Sequence, residues 1–180
     1  MSCSTIHYQN PRVVVGCIPE WRDKILFCRR AIEPRYGFWT LPAGYLENGE
    51  TVSEGARRET HEEAGATVNH LVPYGLYNIC YVNQIYLMFR GRLSDLNFKP
   101  GAESLEVRLF TVDKIPWKDL AFPVIGKTLT RFIKDRTRSE FQFHIEDIER
   151  RDALFPRADG VGEPESPRKD GKHLSTRNSG

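Results

Sequence analysis

Residues 44–66 read GYLENGETVSEGARRETHEEAGA, and this stretch decides the fold. Thr51 is followed three residues later by Glu54, which is the spacing of a helix capping box. Gly65 stands where a helix commonly ends in a left-handed residue. The pattern therefore predicts one capped helix over residues 52–64, preceded by a glycine-bearing loop.

Besides Glu54, four glutamates lie in or beside this helix: Glu50, Glu59, Glu62 and Glu63. Residues three and four apart share a helix face, so the last three are expected to form one cluster of like charges that repel each other. Hard divalent cations with oxygen ligands supply the missing positive charge, and Mg²⁺ favours carboxylates, waters and substrate phosphates. A solvated acidic face is the alternative. Arg58 is a candidate partner for one acid, with Glu50 favoured.

The spacing of these residues resembles the Nudix box of the Nudix hydrolases. The matching positions are Gly44, Glu50, Arg58, Glu59, Glu62, Glu63 and Gly65. Two positions depart slightly: Thr60 and Ala66 stand where the family has aliphatic residues. Both departures are expected to affect packing more than chemistry.

The resemblance implies an α/β (α+β) fold, with a mixed β-sheet between helices and a loop–helix–loop metal site. It implies the catalytic residues Glu50, Arg58, Glu59, Glu62 and Glu63. The last three would bind one to three ions of Mg²⁺ or Mn²⁺ as cofactor, with help from the carbonyl of Gly44. Which glutamate is the general base stays open.

Relatives often add a further acid from a later loop or strand, and Glu103 and Glu106 are the candidates here. Glu106 is favoured because it precedes the strand-like residues 107–112. An exposed acid at a strand end is the alternative for Glu106.

The resemblance extends over residues 7–135 and is to ADP-ribose and FAD pyrophosphatases. NADH-cleaving relatives carry an SQPWPFPxS motif, whereas residues 120–129 read LAFPVIGKTL, which weakens NADH as the substrate. The resemblance therefore favours ADP-ribose or FAD. The alternatives are an NADH or nucleotide-sugar pyrophosphatase, a nucleoside-triphosphate sanitising enzyme, an RNA-decapping protein and a non-catalytic ligand sensor.

Six residues before the box are candidates for substrate binding: Arg29, Arg30, Arg35, Tyr36, Phe38 and Trp39. The arginines could hold phosphates through paired hydrogen bonds. The aromatic rings could stack on a base, with core packing as the alternative, above all for Trp39.

The rest of the chain predicts one domain over residues 1–143 and a largely disordered tail over residues 144–180. Short β-branched and apolar runs are typical of strands. The predicted strands are residues 12–18, 24–30, 68–79, 84–93 and 104–112. Apolar residues on one side of residues 124–135 predict a second, amphipathic helix.

Composition narrows the class of partner. A net charge of +2 is too small to indicate nucleic-acid or membrane binding, so the expected partner is a small-molecule nucleotide, and homodimer formation stays open. No apolar run approaches the ~20 residues of a membrane span. The N-terminus lacks the pattern of a leader, which predicts a cytoplasmic location.

Zinc is not expected as a cofactor. Relatives often begin with a zinc ribbon, and Cys3 with residues 6–11 resembles the end of one. Residues 1–180 contain no CxxC pair, so a complete ribbon cannot form from them: either it was lost or the true start lies upstream.

Overall fold

The structure, a computed structural model, describes residues 9–150, and these form eight strands and two α-helices. The strands are β1 (Arg12–Trp21), β2 (Lys24–Arg30), β3 (Trp39–Thr40), β4 (Ala43–Tyr45), β5 (Val68–Ile79), β6 (Gln84–Leu93), β7 (Ser104–Thr111) and β8 (His144–Asp147). The helices are α1 (Val52–Ala64) and α2 (Pro123–Arg138).

The strands form one mixed sheet. Its order is β3-β2-β1-β6-β5-β8, with β4 paired to β1 and β7 paired to β2. Two pairs are parallel, β1 with β6 and β5 with β8, and the others are antiparallel. On the side of β1 away from β6, its residues Val14–Gly16 pair with β4, and its residues 20–21 pair with β2. This change of partner brings the loop before α1 onto the sheet.

Successive residues of β1 face opposite sides of the sheet, because side chains alternate along a strand. Val15 packs with Ala56 of α1, while Val14 lies in the cluster that contains Val124 and Leu129 of α2. The sheet therefore lies between the two helices, as predicted.

Helix α1 has the predicted bounds and both predicted caps. The Thr51 side chain accepts a hydrogen bond from the Glu54 backbone, and the Glu54 side chain accepts one from the Thr51 backbone. Gly65 ends the helix at φ 59°. Gly55 is required by close packing, because a Cβ there would lie 2.8 Å from Cγ2 of Val15.

Helix α2 is longer than the predicted 124–135. Pro123 occupies its first turn, where a missing backbone N–H costs nothing. The helix ends at Arg138, followed by Ser139 in the left-handed conformation. No helix within residues 9–150 is long and apolar enough to cross a membrane.

The domain boundary predicted after residue 143 is too early. β8 begins at His144 and pairs with β5, and the following Ile148 is fully buried. His144 Nε2 also lies 2.7 Å from Asp135 Oδ2 on α2. The sheet therefore extends into the segment predicted as a disordered tail, whose residues 151–180 lie outside the described part of the chain.

Candidate active site

Two of the three clustered glutamates of α1 contact one arginine. Arg58 Nη1 donates to Glu59 Oε1 at 2.7 Å and to Glu62 Oε2 at 3.0 Å. Glu63 follows on the inner side of the helix and is buried, while the Glu62 side chain is 56% exposed. The three acids are thus brought together as their helical spacing predicts.

The same arginine ties the preceding loop to the helix. Its Nε and Nη2 donate to the two carboxylate oxygens of Glu50 at 3.0 and 2.8 Å, and Nη2 also donates to the Tyr45 carbonyl at 3.0 Å. Arg58, with help from the Glu47 backbone N–H, lowers the pKa of Glu50 to about 2. The predicted pair between Arg58 and Glu50 is confirmed, and it is bidentate, the stronger form of such a pair.

Burial works against the charge of the two inner acids. It raises the pKa of Glu63 to about 8, and the neighbouring charge of Glu59 adds to this effect. Burial also raises the pKa of Glu59, although Arg58 opposes the change. The carboxylate of Glu63 accepts a hydrogen bond from the Ala43 backbone N–H at 3.3 Å. A cation beside these carboxylates would favour their charged forms.

Gly44 lies directly against the acidic cluster. A Cβ at this position would be 2.3 Å from the carboxylate of Glu59, so a side chain here would push that carboxylate out of its place. Pairing of Gly44 with Val15 fixes this approach, because β4 is held on β1. The backbone of Gly44 therefore lies directly beside the Glu59 carboxylate.

The donor set suits a hard divalent cation. The side chains of the cluster offer carboxylate oxygens, which are the ligands of Mg²⁺ and Mn²⁺, rather than the nitrogen and sulfur that zinc prefers. Among the described residues, no three His, Cys, Asp or Glu side chains are already arranged to hold a metal ion. Arg58 is instead the positive charge that Glu59 and Glu62 share.

The two candidates for a further acid lie in different surroundings. Glu106 contacts arginines: it forms a hydrogen bond with Arg108 and lies 3.9 Å from Arg29. Glu103 lies in the turn before β7, and its negative charge acts on both Glu59 and Glu63. Of the two candidates, Glu103 is the one whose charge raises the pKa of Glu59 and Glu63.

The two departures from the family pattern are accommodated in the core. Thr60 is fully buried, and its hydroxyl donates to the Ala56 carbonyl at 2.7 Å, so no polar atom is left unpaired there. Ala66 is buried in a cluster with Val68 and Leu93. Both positions serve packing, as expected.

Among the three candidate arginines, Arg30 is the one whose charge acts on an acid of the cluster. Its charge lowers the pKa of Glu63, in opposition to burial. Its Nε donates to the Pro34 carbonyl at 2.9 Å, and its guanidinium lies over the Phe122 ring. Its two Nη groups make no hydrogen bond within residues 9–150, so they are free to donate to a phosphate. The Nε of Arg29 donates a hydrogen bond to the Gly37 carbonyl.

The aromatic candidates differ in exposure. Tyr36 is 55% exposed, and Phe38 is partly buried beneath the guanidinium of Arg35. Trp39 is only 7% exposed and packs edge-on against Phe110 in the core. Trp39 is therefore a core residue that offers little exposed surface to a base.

Sequence analysis did not single out Tyr86, which the fold brings to the same region. It pairs with Val14 across β6 and β1, and it is 9% exposed. Burial and then the neighbouring Tyr45 raise its pKa to about 12, and Arg30 and Glu63 also act on it. No local motif marks this tyrosine, because only the pairing of distant strands places it there.

Comparison with known proteins agrees with this geometry. The NUDIX domain matches residues 10–132. A crystal structure of a NUDIX hydrolase from Nitrosomonas europaea is similar, with a TM-score of 0.78 and 52% sequence identity, and the match covers 82% of this chain and 84% of that one.

Two curated relatives bear more specific names. An ADP-ribose pyrophosphatase of Methanocaldococcus jannaschii is 45% identical over 113 residues, which are 61% of this chain and 67% of the relative. An NAD-capped RNA hydrolase NudC of Vibrio parahaemolyticus is 28% identical over 140 residues, which are 74% of this chain and 53% of the relative. The chain thus spans one half to two thirds of these two proteins, and only 32% of an 8-oxo-(d)GTP phosphatase of Mycolicibacterium smegmatis that it also matches. Domain match, fold and acidic helix together establish that the chain belongs to the Nudix hydrolases.

Proposed function

We propose that this chain hydrolyses the diphosphate bond of ADP-ribose or FAD, with Mg²⁺ or Mn²⁺ held by Glu59, Glu62 and Glu63. The products would be a nucleoside monophosphate and a second phosphomonoester. The observation that carries the proposal is the gathering of three carboxylates beside Gly44, two of them where burial opposes their charge. Likeness to the relative named ADP-ribose pyrophosphatase supports the first substrate.

The side chains divide the work by position. A divalent cation bound at the cluster supplies the positive charge that holds diphosphate oxygens and eases proton loss from water. Glu59, Glu62 and Glu63 hold that cation, while the Arg58–Glu50 pair keeps the loop and the helix in register. Glu103 serves as the further acid. The carboxylate of Glu106 is instead engaged with Arg29 and Arg108, which supports this choice.

Arg30 is proposed to hold a substrate phosphate. Its Nη groups make no hydrogen bond to the described residues, and its charge acts on Glu63, so a phosphate near the cluster would lie within its influence. Arginine suits this role because its planar fork matches phosphate oxygens. The exposed Tyr36 and the half-buried Phe38 are proposed as contacts to the rest of the nucleotide.

A substrate panel tests the proposal directly. ADP-ribose, FAD, NADH, nucleotide sugars and nucleoside triphosphates are each incubated with Mg²⁺ or Mn²⁺, and the products are identified by mass. We expect AMP and ribose phosphate from ADP-ribose, or AMP and flavin mononucleotide from FAD. Release of pyrophosphate from triphosphates, with the diphosphates left intact, would instead identify a triphosphate hydrolase.

The diphosphate of an NAD group is the second candidate, because one curated relative is named NAD-capped RNA hydrolase. NADH and a short NAD-capped RNA belong in the same panel. Faster turnover of either one than of ADP-ribose and FAD would make this candidate the function.

A further inference from the structure

The segment between β6 and β7 packs against the C-terminal end of α1. The Lys99 backbone N–H donates to the Ala64 carbonyl at 2.9 Å, and the Gly101 N–H donates to the Glu63 carbonyl at 3.0 Å. The last carbonyls of a helix have no partner inside the helix. The segment therefore satisfies two of them at the very turn that carries Glu62 and Glu63.

Gly101 approaches this turn more closely than a side chain would allow. A Cβ at position 101 would lie 1.6 Å from the carbonyl oxygen of Glu62 and 2.8 Å from its carbonyl carbon. It would also lie 3.3 Å from Cα of Glu63. These are backbone atoms of a helix, which cannot move aside as a flexible side chain can. Close approach is thus what requires a glycine here.

Two residues later the same segment carries Glu103. The Ser104 N–H donates to the Gly101 carbonyl at 3.1 Å, and the Ala31 N–H donates to the Glu103 carbonyl at 2.8 Å. The segment is therefore fixed to α1 at residue 101 and to the end of β2 at residue 103. Glu103 thus follows closely on the residue that packs against α1, and its charge raises the pKa of Glu59 and Glu63.

We propose that Gly101 is a positioning residue for the acidic cluster: its contact with the helix backbone sets the distance of Glu103 from Glu59 and Glu63, and so the cluster's affinity for a divalent cation. This inference deepens the proposed function and rests on it. Groups that orient metal ligands change metal affinity by roughly 10- to 100-fold when they are altered.

The test measures Mn²⁺ affinity of the full chain by calorimetry, for wild type, Gly101→Ala, Glu103→Gln and the double variant. We expect each single variant to bind Mn²⁺ about 10-fold or more weakly. The double variant should bind no more weakly than Glu103→Gln, because residues that act through one another are not additive. Urea unfolding of each variant establishes that it is folded.

Two further variants complete the design. Gly75→Ala is the matched control, since its Cβ would lie 2.8 Å from the Tyr77 ring on β5, away from α1, and it should leave Mn²⁺ affinity unchanged. Glu103→Asp moves the carboxylate without touching the contact at residue 101. It should weaken Mn²⁺ binding even if Gly101→Ala does not fold.

Three results overturn the inference: a folded Gly101→Ala with wild-type Mn²⁺ affinity, an effect of Gly101→Ala that is undiminished in the Glu103→Gln background, or a Glu103→Asp that binds as wild type does. After any of these three results, the proposed function is still supported if the wild type binds Mn²⁺ and Glu59→Gln does not. A wild type that binds no Mn²⁺ removes both.

Discussion

The glutamates of α1 belong to one cluster but differ in exposure. The Glu59 side chain is 12% exposed and Glu63 is 7% exposed, whereas the Glu62 side chain is 56% exposed. Charges in the interior depend on their partners, while an exposed charge contributes little to stability. Loss of the Glu62 charge should therefore affect the reaction far more than the fold.

Glu62→Gln should lower turnover with Mg²⁺ on the order of 100-fold or more, the scale at which loss of a participating carboxylate acts. The midpoint of urea unfolding should stay close to that of wild type. Steady-state kinetics on the substrate found by the panel give the measurement. Glu47→Gln, a change at an exposed loop position, is the control and should keep wild-type turnover. A Glu62→Gln enzyme as fast as wild type would show that the site is wrongly assigned.

At the scale of elements, α1 could be predicted with its bounds because its signals are local. The capping box, the terminal glycine and the three acids all lie within 23 residues, from Gly44 to Ala66. β3 and β4 were missed because they have two and three residues and form only when β1 and β2 are present to pair with them. β8 was missed because its one apolar side chain, Ile145, is 72% exposed, so its sequence lacks a buried alternation.

Thr51→Ala should lower the free energy of unfolding by about 1 kcal/mol, since it removes the side-chain oxygen that accepts the Glu54 N–H at the start of α1. Urea unfolding followed by circular dichroism measures the change. Thr51→Ser keeps the oxygen and should lie close to wild type. Equal losses in both variants would argue against the cap as the cause.

The contact between α2 and β8 predicts a response to acid. Burial alone would raise the pKa of Asp135, but hydrogen bonds from His144 and Tyr74 outweigh it and hold the pKa below the usual 3.8. An unfolded chain then binds this proton more readily than the folded one. The contribution to stability is therefore present above pH 3.8 and is lost as the pH falls below it.

Asp135→Asn should remove this part of the acid sensitivity. The variant should be less stable than wild type at pH 6, and the difference should shrink as the pH is lowered toward 3. Urea unfolding at a series of pH values gives both curves. Parallel curves over this range would mean that Asp135 carries no such linkage.

At the scale of the whole molecule, the candidate site combines residues that are neighbours in sequence with residues that are far apart in sequence. The resemblance of residues 44–66 located the acids of α1, and the structure keeps them together. The choice between Glu103 and Glu106 could not be made from sequence, because it depends on how the turn before β7 meets α1. The same holds for Trp39, whose burial against Phe110 is a product of the pairing of β2 with both β3 and β7.

Cation binding should stabilise the entire domain if the acidic cluster is the metal site. Mn²⁺ at 100 times its dissociation constant should add about 2.7 kcal/mol, which corresponds to a rise in Tm of roughly 5 to 10 °C. Differential scanning calorimetry, with NaCl of equal ionic strength as the control, measures the shift. Burial raises the pKa of Glu63 to about 8, so its carboxyl is mostly uncharged at neutral pH without metal. Glu63→Gln should therefore not be less stable than wild type without metal and should gain little from Mn²⁺. An equal rise in both proteins would place the ion elsewhere.

The guanidinium of Arg58 acts as a resident counter-ion, because one of its nitrogens already contacts both Glu59 and Glu62. A cation that binds Glu59 and Glu62 would have to displace Arg58. Its net binding energy would be its attraction to the two carboxylates minus that of the guanidinium. A monovalent cation would bring no more charge than the guanidinium it displaces, so this arrangement should favour a divalent ion. The two hydrogen bonds from Nε and Nη2 of Arg58 to Glu50 could remain, since only Nη1 would have to release its carboxylates.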